Sequence, residues 1–437
     1  MGHLGHLKEE YRDLATRLGK GFMPFPEPEA EAAWNGWKEI LEILFRPEDA
    51  ALAARMPLKP APIERLSRDL GVPVDQLRPR LEEMADRGLV MDLVHPRTGA
   101  VGWMLAPPLA GFIEFAMMRA ADHIPKKRLA DALHAYMVGD DTFAREIFEK
   151  TTVVGRAVVH ETAFPRGPSA AGGEDAPEVL DWERATHLIE TSSARSVSLC
   201  YCRHTAEHLG TKCDAPMDNC LSLNAGAEFV ARRGFGRAID KAEALDLLAA
   251  SREKGLVQIA DNVQRQPVYI CNCCGCCCEQ LQVINRYGLP AVVPSGFLPA
   301  CDAATCKGCS RCARACPVGA ISLQASGLPA HRKNRLAPLI DPERCIGCGV
   351  CAGACPHDSL AMQRGGRTPD VPRSGLERVV RMALERGNLA DLLADDGTAG
   401  ARFLGGLVGV LERLPPVQKA LAREQVRSRF LKMMLGA

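Results

Sequence analysis

Nineteen cysteines set the chemistry open to this chain, and their placement says more than their number. All lie between Cys200 and Cys355; the long stretches before Cys200 and after Cys355 contain none. Met1 to Glu10 holds no apolar stretch of the kind that begins a secretory signal, so the expected location is the cytoplasm. Thiols stay reduced there, and a dense set of them is expected to bind metal rather than pair as disulfides. The cysteines fall into three runs: 200–220, 271–278 and 306–355. Thiolates at short spacing are ligands for iron, in clusters with inorganic sulfide, or for zinc.

The last run contains an internal repeat at an offset of 39 residues. Thr305 to Leu323 reads TCKGCSRCARACPVGAISL and Arg344 to Met362 reads RCIGCGVCAGACPHDSLAM; eight of the 19 positions match. Each copy is C-x2-C-x2-C-x3-C-P, the spacing with which a short loop wraps three thiolates around one [4Fe–4S] cluster while the fourth serves its neighbour. This assigns Cys306, Cys309, Cys312 and Cys355 to one cluster. Cys345, Cys348, Cys351 and Cys316 go to the other. Gly308, Gly347 and Gly349 let backbone N–H groups approach the sulfurs. Residues 296–365 thus resemble the two-cluster ferredoxin domains of bacteria, which implies stepwise one-electron transfer. The segment between Cys316 and Cys345 is long for such a domain. It carries His331, Arg332, Lys333 and Arg335, either a solvated loop or a docking loop for an acidic partner.

The other two runs are less familiar. Cys200, Cys202, Cys213 and Cys220 form C-x-C-x10-C-x6-C, enough thiols for a third cluster, with zinc as the alternative. Arg203, His204, Lys212 and Asn219 stand nearby as hydrogen-bonding groups. Cys271, Cys273, Cys274, Cys276, Cys277 and Cys278 put six thiols into eight residues, between a strand-like Val268-Tyr269-Ile270 and a helix-like Glu279 to Tyr287. Successive side chains diverge, so six thiols cannot all serve one cubane. This run either holds a fourth cluster of its own or pools thiols with 200–220; the separate cluster is the expectation. Cys301 reads as a buried strand residue. His204 and His208 form either a metal pair or an ordinary hydrogen-bonded pair.

Apolar spacing supplies the framework. Trp34, Trp37, Ile40, Leu41 and Leu44 recur at helical steps. Pro62 to Leu70, then a helix capped by Asp75 and stopped at Gly88, then two strands around 95–99, resemble a winged-helix domain over about 45 residues. Its second helix, residues 74–87, has three arginines against four acids, a net charge of −1 that does not suit DNA. Residues 109–158 read as helical. Pro165, Gly167, Pro168, Gly172, Gly173 and Pro177 read as a linker. Residues 415–437 form a basic amphipathic helix of net charge +4, fit to pack on a core or a partner, or to rest on a membrane surface.

The fold class expected is α+β and multidomain: 1–158 helical and winged-helix-like, 179–295 a cysteine-rich α/β middle, 296–365 the dicluster module, 366–437 terminal helices. The balance of 54 basic and 53 acidic residues gives no global attraction to nucleic acid. Neither G-x-x-x-x-G-K-[ST] nor a strand–GxGxxG–helix unit occurs, so no nucleotide or flavin is expected. The order of the three cysteine runs behind a winged helix resembles iron–sulfur oxidoreductases of anaerobic and syntrophic metabolism. That implies an electron-transfer component acting with protein redox partners, within a larger oxidoreductase. The alternatives are a redox-sensing winged-helix regulator and an enzyme with an open-site cluster at 271–278.

Overall fold

The computed structural model describes residues 7–95, 98–164, 179–325, 336–365 and 368–395. The proline- and glycine-rich 165–178, the basic residues 331–335 and the helix expected over 415–437 lie outside them. Strands are labelled β1 (Val90–Val94), β2 (Val101–Leu105), β3 (Gly155–Val158), β4 (Arg195–Leu199), β5 (Asp218–Leu223) and β6 (Arg237–Ala238). They continue as β7 (Val257–Asp261), β8 (Tyr269–Cys273), β9 (Val292–Val293), β10 (Phe297–Cys301), β11 (Ile321–Ala325), β12 (Leu336–Ile340) and β13 (Leu360–Arg364).

A seven-stranded sheet in the order β6-β4-β5-β8-β7-β3-β9 forms the centre. Only β3 and β9 run parallel; the other neighbours are antiparallel. Because side chains alternate along a strand, its two faces differ in chemistry. One carries Val197, Leu221, Leu223, Ala260 and Ile270, packed under the helices Ala185–Glu190 and Lys241–Glu253. The other carries Ser196, Ser198, Cys220, Ser222, Tyr269, Cys271 and Cys273 by the same alternation. Residues 109–158, expected to be helical throughout, end instead in β3, which joins this sheet. Alternation over four residues is too short to separate from a buried helix turn by pattern alone.

The winged-helix-like part comprises the helices Ile63–Leu70 and Val74–Asp86 followed by the β1–β2 hairpin. Gly71 takes the left-handed turn between the helices at φ 69°. The second helix starts at Val74, so Asp75 lies in its first turn and not at the cap, which is Pro73. Its acidic side meets the middle of the chain: Arg233 pairs with Glu82 and Asp86 at 2.7 and 2.8 Å. Arg233 also reaches the buried Asp92 at 2.7 Å. Burial would raise the Asp92 carboxyl, but hydrogen bonds from Arg233 and Arg232 hold it below the usual range. Arg87 is buried too, bonded to Asp49 and to the Leu44 carbonyl. This helix therefore commits charged side chains to contacts within the chain.

Residues 296–365 form two antiparallel pairs, β10–β13 and β11–β12, with a short helix beside each: Arg311–Ala315 and Val350–Gly353. The largest apolar core runs without a break from Leu7 through the sheet to Ile346 and Leu392, so the cysteine-bearing segments rest on one continuous support.

Removing one partner from a buried ion pair strands the other charge. Arg233→Ala, which leaves Asp92 only Arg232, is expected to cost about 2 kcal/mol in denaturant unfolding, and Asp92→Asn introduced on top of it should recover part of the loss. An unchanged unfolding midpoint in Arg233→Ala would show that this docking contact is incidental.

Candidate metal centres

The repeat at 306–355 builds two thiol sets of matching local geometry. Cys306, Cys309, Cys312 and Cys355 line one small cavity, with Leu323 and Leu360 in its wall. Cys316, Cys345, Cys348 and Cys351 are mutual electrostatic neighbours, and Cys351 also faces Cys312 of the first set. Backbone N–H groups point at sulfur in register with the repeat. Ala320 donates to Cys316 Sγ at 3.2 Å, and Ser359, at the matching place in the second copy, to Cys355 Sγ at 3.4 Å. Gly308 donates to Cys306 Sγ at 3.5 Å. Ser310 and Gly349 occupy equivalent positions and both are left-handed, at φ 63° and 82°. Burial pushes the Cys348 thiol up to about 12. A thiolate there needs positive charge beside it, which iron supplies. Donor set and N–H···S contacts fit a [4Fe–4S] cluster in each set, and the first set also encloses a cavity.

Cys301 lies on β10, half-buried rather than buried, beside Cys306, Cys312 and Cys355. His160 packs on the second loop: its backbone N–H bonds the Cys348 carbonyl at 3.0 Å, and its Nε2 meets the Leu256 carbonyl at 2.9 Å.

The two upstream runs do not form separate groups; their thiols intermingle. Antiparallel pairing of β5 with β8 sets Leu221 opposite Ile270, which brings Cys220 beside Cys271 although they are far apart along the chain. From there side-chain contacts lead from Cys271 to Cys273, Cys278, Cys202 and Cys200, and Cys200 faces Cys220 again. These six thiols, the ring, form one run of neighbours whose ends, Cys200 and Cys220, lie within electrostatic reach of each other. Within it Cys271 is held well below the usual thiol range by hydrogen bonds from Cys220 and Cys273. Cys278 is held low by Cys202 and Cys273. The remaining four, Cys213, Cys274, Cys276 and Cys277, form a tighter group whose sulfurs all lie within 4.8 Å of one another.

Arg203 stands between these groups with 0% of its surface exposed. Its guanidinium donates to the Pro216 carbonyl at 2.9 Å, to Asn219 Oδ1 at 2.8 Å and to the Asn272 carbonyl at 2.6 Å. Burial lowers its pKa, but the charges of Cys200, Cys274 and Cys273 outweigh that and raise it. Thiol donors, enclosure and a fixed cation together fit an anionic metal centre at the ring. His204 and His208 are outside this arrangement: they bond each other at 3.2 Å, and His204 Nδ1 meets the Met117 carbonyl at 2.7 Å.

One side of the ring opens on a cavity of about 280 Å³. Cys220 and Cys271 form part of its wall, with Tyr201, Tyr269, Phe115 and Phe229. Two carboxyls, Glu114 and Glu279, also line it, and burial pushes each up to about 7. Glu114 accepts the Gly111 N–H at 3.2 Å, while Glu279 has no hydrogen-bond partner among the described residues.

A family described as a 4Fe-4S dicluster domain matches residues 305–359. No curated protein and no solved structure matches the chain. Residues 305–359 are a ferredoxin-like dicluster module. That module, with the further cysteines, supports an iron–sulfur electron-transfer role. Its second thiol set adjoins the middle of the chain: the position of a Cβ on Gly275 lies 2.7 Å from the Pro317 carbonyl, one residue beyond Cys316. The chamber and its carboxyls carry no motif, since they converge from separate elements. Only the apolar run 112–117 hints at a buried wall there.

Gly347 tests the packing of the module. A Cβ there, at φ 69°, would come within 2.5 Å of the Phe297 carbonyl, whereas one on Gly353 meets nothing. Gly347→Ala is expected to lower bound iron by about four atoms per chain and to remove one of the two module signals in EPR. Gly353→Ala should keep both. Equal iron in the two variants would contradict the assignment of Cys345, Cys348, Cys351 and Cys316 to one cluster.

Proposed function

We propose that this chain is a component of an oxidoreductase that carries single electrons from a protein partner, through the dicluster module, to a buried centre held by the six-thiol ring. The observation behind this reading is the seating of that ring: the turn from which Cys273 and Cys278 enter it touches the module where Gly275 meets Pro317, and Cys220 and Cys271 form a wall of the chamber. Each [4Fe–4S] cluster supplies one-electron chemistry at potentials tuned by hydrogen bonds to sulfur. The chain's own residues do the rest. Arg203 offsets anionic charge at the ring. The N–H groups of Ala320 and Ser359 hold the thiolates of Cys316 and Cys355. Phe115, Phe229 and Tyr269 give the chamber an apolar wall.

The entry point is the first thiol set. Cys306, Cys309 and Cys355 are only half-buried, and the exposed Lys307, Arg311 and Arg314 lie beside them. Such a basic rim attracts an acidic one-electron carrier and speeds encounter at low salt. The chamber favours a catalytic end to the relay over a simple carrier: a buried apolar space with a few polar groups is the usual form of a small-molecule site. No observation favours DNA, since the acidic side of the second winged helix faces Arg233.

Two measurements test this. Reduction by an acidic one-electron donor should slow about tenfold or more when Lys307, Arg311 and Arg314 are all replaced by Glu, with bound iron unchanged, and the wild-type rate should fall with salt. A salt-independent rate would place the docking face elsewhere. In an EPR-monitored reductive titration, Cys271→Ser should remove the signal of the buried centre and leave the module's two. A wild-type protein with no third signal and no iron beyond the module's would end the relay reading.

A further inference from the structure

The tight group of four thiols has the dimensions of a different kind of site. Cys213 Sγ lies 3.6 Å from Cys274 Sγ and 3.8 Å from Cys277 Sγ, and Cys276 Sγ lies 3.8 Å from Cys277 Sγ. A tetrahedral ion with metal–sulfur bonds of about 2.3 Å keeps its sulfurs about 3.8 Å apart. A cubane places each thiolate on a different iron, so its thiolates do not touch. In the dicluster module the thiols of the first set stand around a cavity instead. No other group of three or more thiols among the described residues is as compact as this one. We propose that Cys213, Cys274, Cys276 and Cys277 hold a single tetrahedral divalent ion, zinc or ferrous iron, and not an iron–sulfur cluster.

The local chain fits that role. Cys274, Cys276 and Cys277 occupy the turn between β8 and the helix Glu279–Tyr287, while Cys213 comes from the loop beyond the helix Tyr201–His208. One ion would therefore tie two loops of the middle region together. The turn has no slack on its other side, where Gly275 is pressed against the Pro317 carbonyl and Asn285 Nδ2 bonds that same carbonyl at 3.0 Å. Cys276 is exposed, which gives the ion a route in. Four thiolates around a divalent ion leave a charge of −2. The buried Arg203 faces Cys274, and its Nε has no hydrogen-bond partner among the described residues, so the guanidinium offsets part of that charge. The ion would fix the turn from which Cys273 and Cys278 enter the ring. This assignment does not depend on the electron relay: it concerns a separate set of thiols.

The test is metal and sulfide analysis of the full chain purified without oxygen, together with Cys276→Ser and X-ray absorption at the zinc and iron edges. The expected result is one metal atom per chain lost in Cys276→Ser, with acid-labile sulfide unchanged. A zinc edge showing four sulfurs at about 2.3 Å identifies zinc. A mononuclear ferric EPR signal after mild oxidation, lost in the variant, identifies iron. Loss of about four iron and four sulfide in Cys276→Ser would overturn the proposal in favour of a cubane. Should the variant misfold by circular dichroism, the wild-type protein decides alone: absence of any mononuclear metal in sulfur coordination overturns the proposal. Full module iron without a mononuclear ion rejects this site only; a mononuclear ion without cluster iron rejects the relay only.

Discussion

Thiolate charge cannot be buried without a cation, and this chain buries a great deal of sulfur. An isolated ionised group in an apolar interior is unstable by many kcal/mol and neutralises instead. Ten thiols are drawn together around β5, β8 and the turn that follows, with one guanidinium, Arg203, between them. Such a cluster of like groups makes physical sense when positive metal sits at its centre. Metal binding and folding are then one event, because the ring takes sulfurs from β5, β8 and two helix starts that no single element could bring together.

The remainder of the structure serves that convergence. The sheet's serine- and cysteine-bearing face would be a liability against water or a purely apolar layer. Here it is enclosed by the N-terminal half and by the helices that begin at Tyr201, Asn224 and Glu279. The winged-helix-like part closes the arrangement through Asp92 and Arg233. The module lies along the other flank and touches the cysteine-rich turn at Pro317. The proposed relay would need rigid spacing, and the apolar core that includes Leu7 and Leu392 is continuous.

How much of this can be read from residues alone depends on sequence distance. The module is fully legible, because each of its sets draws on a tandem motif whose spacing encodes the geometry. The strand before Cys271 and the helix after Cys278 are legible too, through hydrophobic runs on either side of the cysteines. The partition of the ten upstream thiols is not. Chain proximity puts Cys213 with Cys200, Cys202 and Cys220, whereas the structure puts it with Cys274, Cys276 and Cys277. The register of β5 on β8 likewise sets Cys220 beside Cys271, and nothing local specifies it. The chamber is hidden for the same reason: Glu114, Tyr201 and Glu279 meet only in three dimensions. Conversely Cys301, which reads as core, stands beside a cluster site.

The central claim is that sulfur in this chain gathers iron in two places, the module and the ring. Mössbauer spectroscopy of the full chain, enriched in 57Fe and purified without oxygen, tests it most directly. The account predicts cluster iron in excess of the roughly eight atoms that two [4Fe–4S] clusters hold, with the excess lost selectively when Cys220 is changed to Ser. A spectrum of eight cluster irons or fewer that Cys220→Ser leaves unaltered would contradict it.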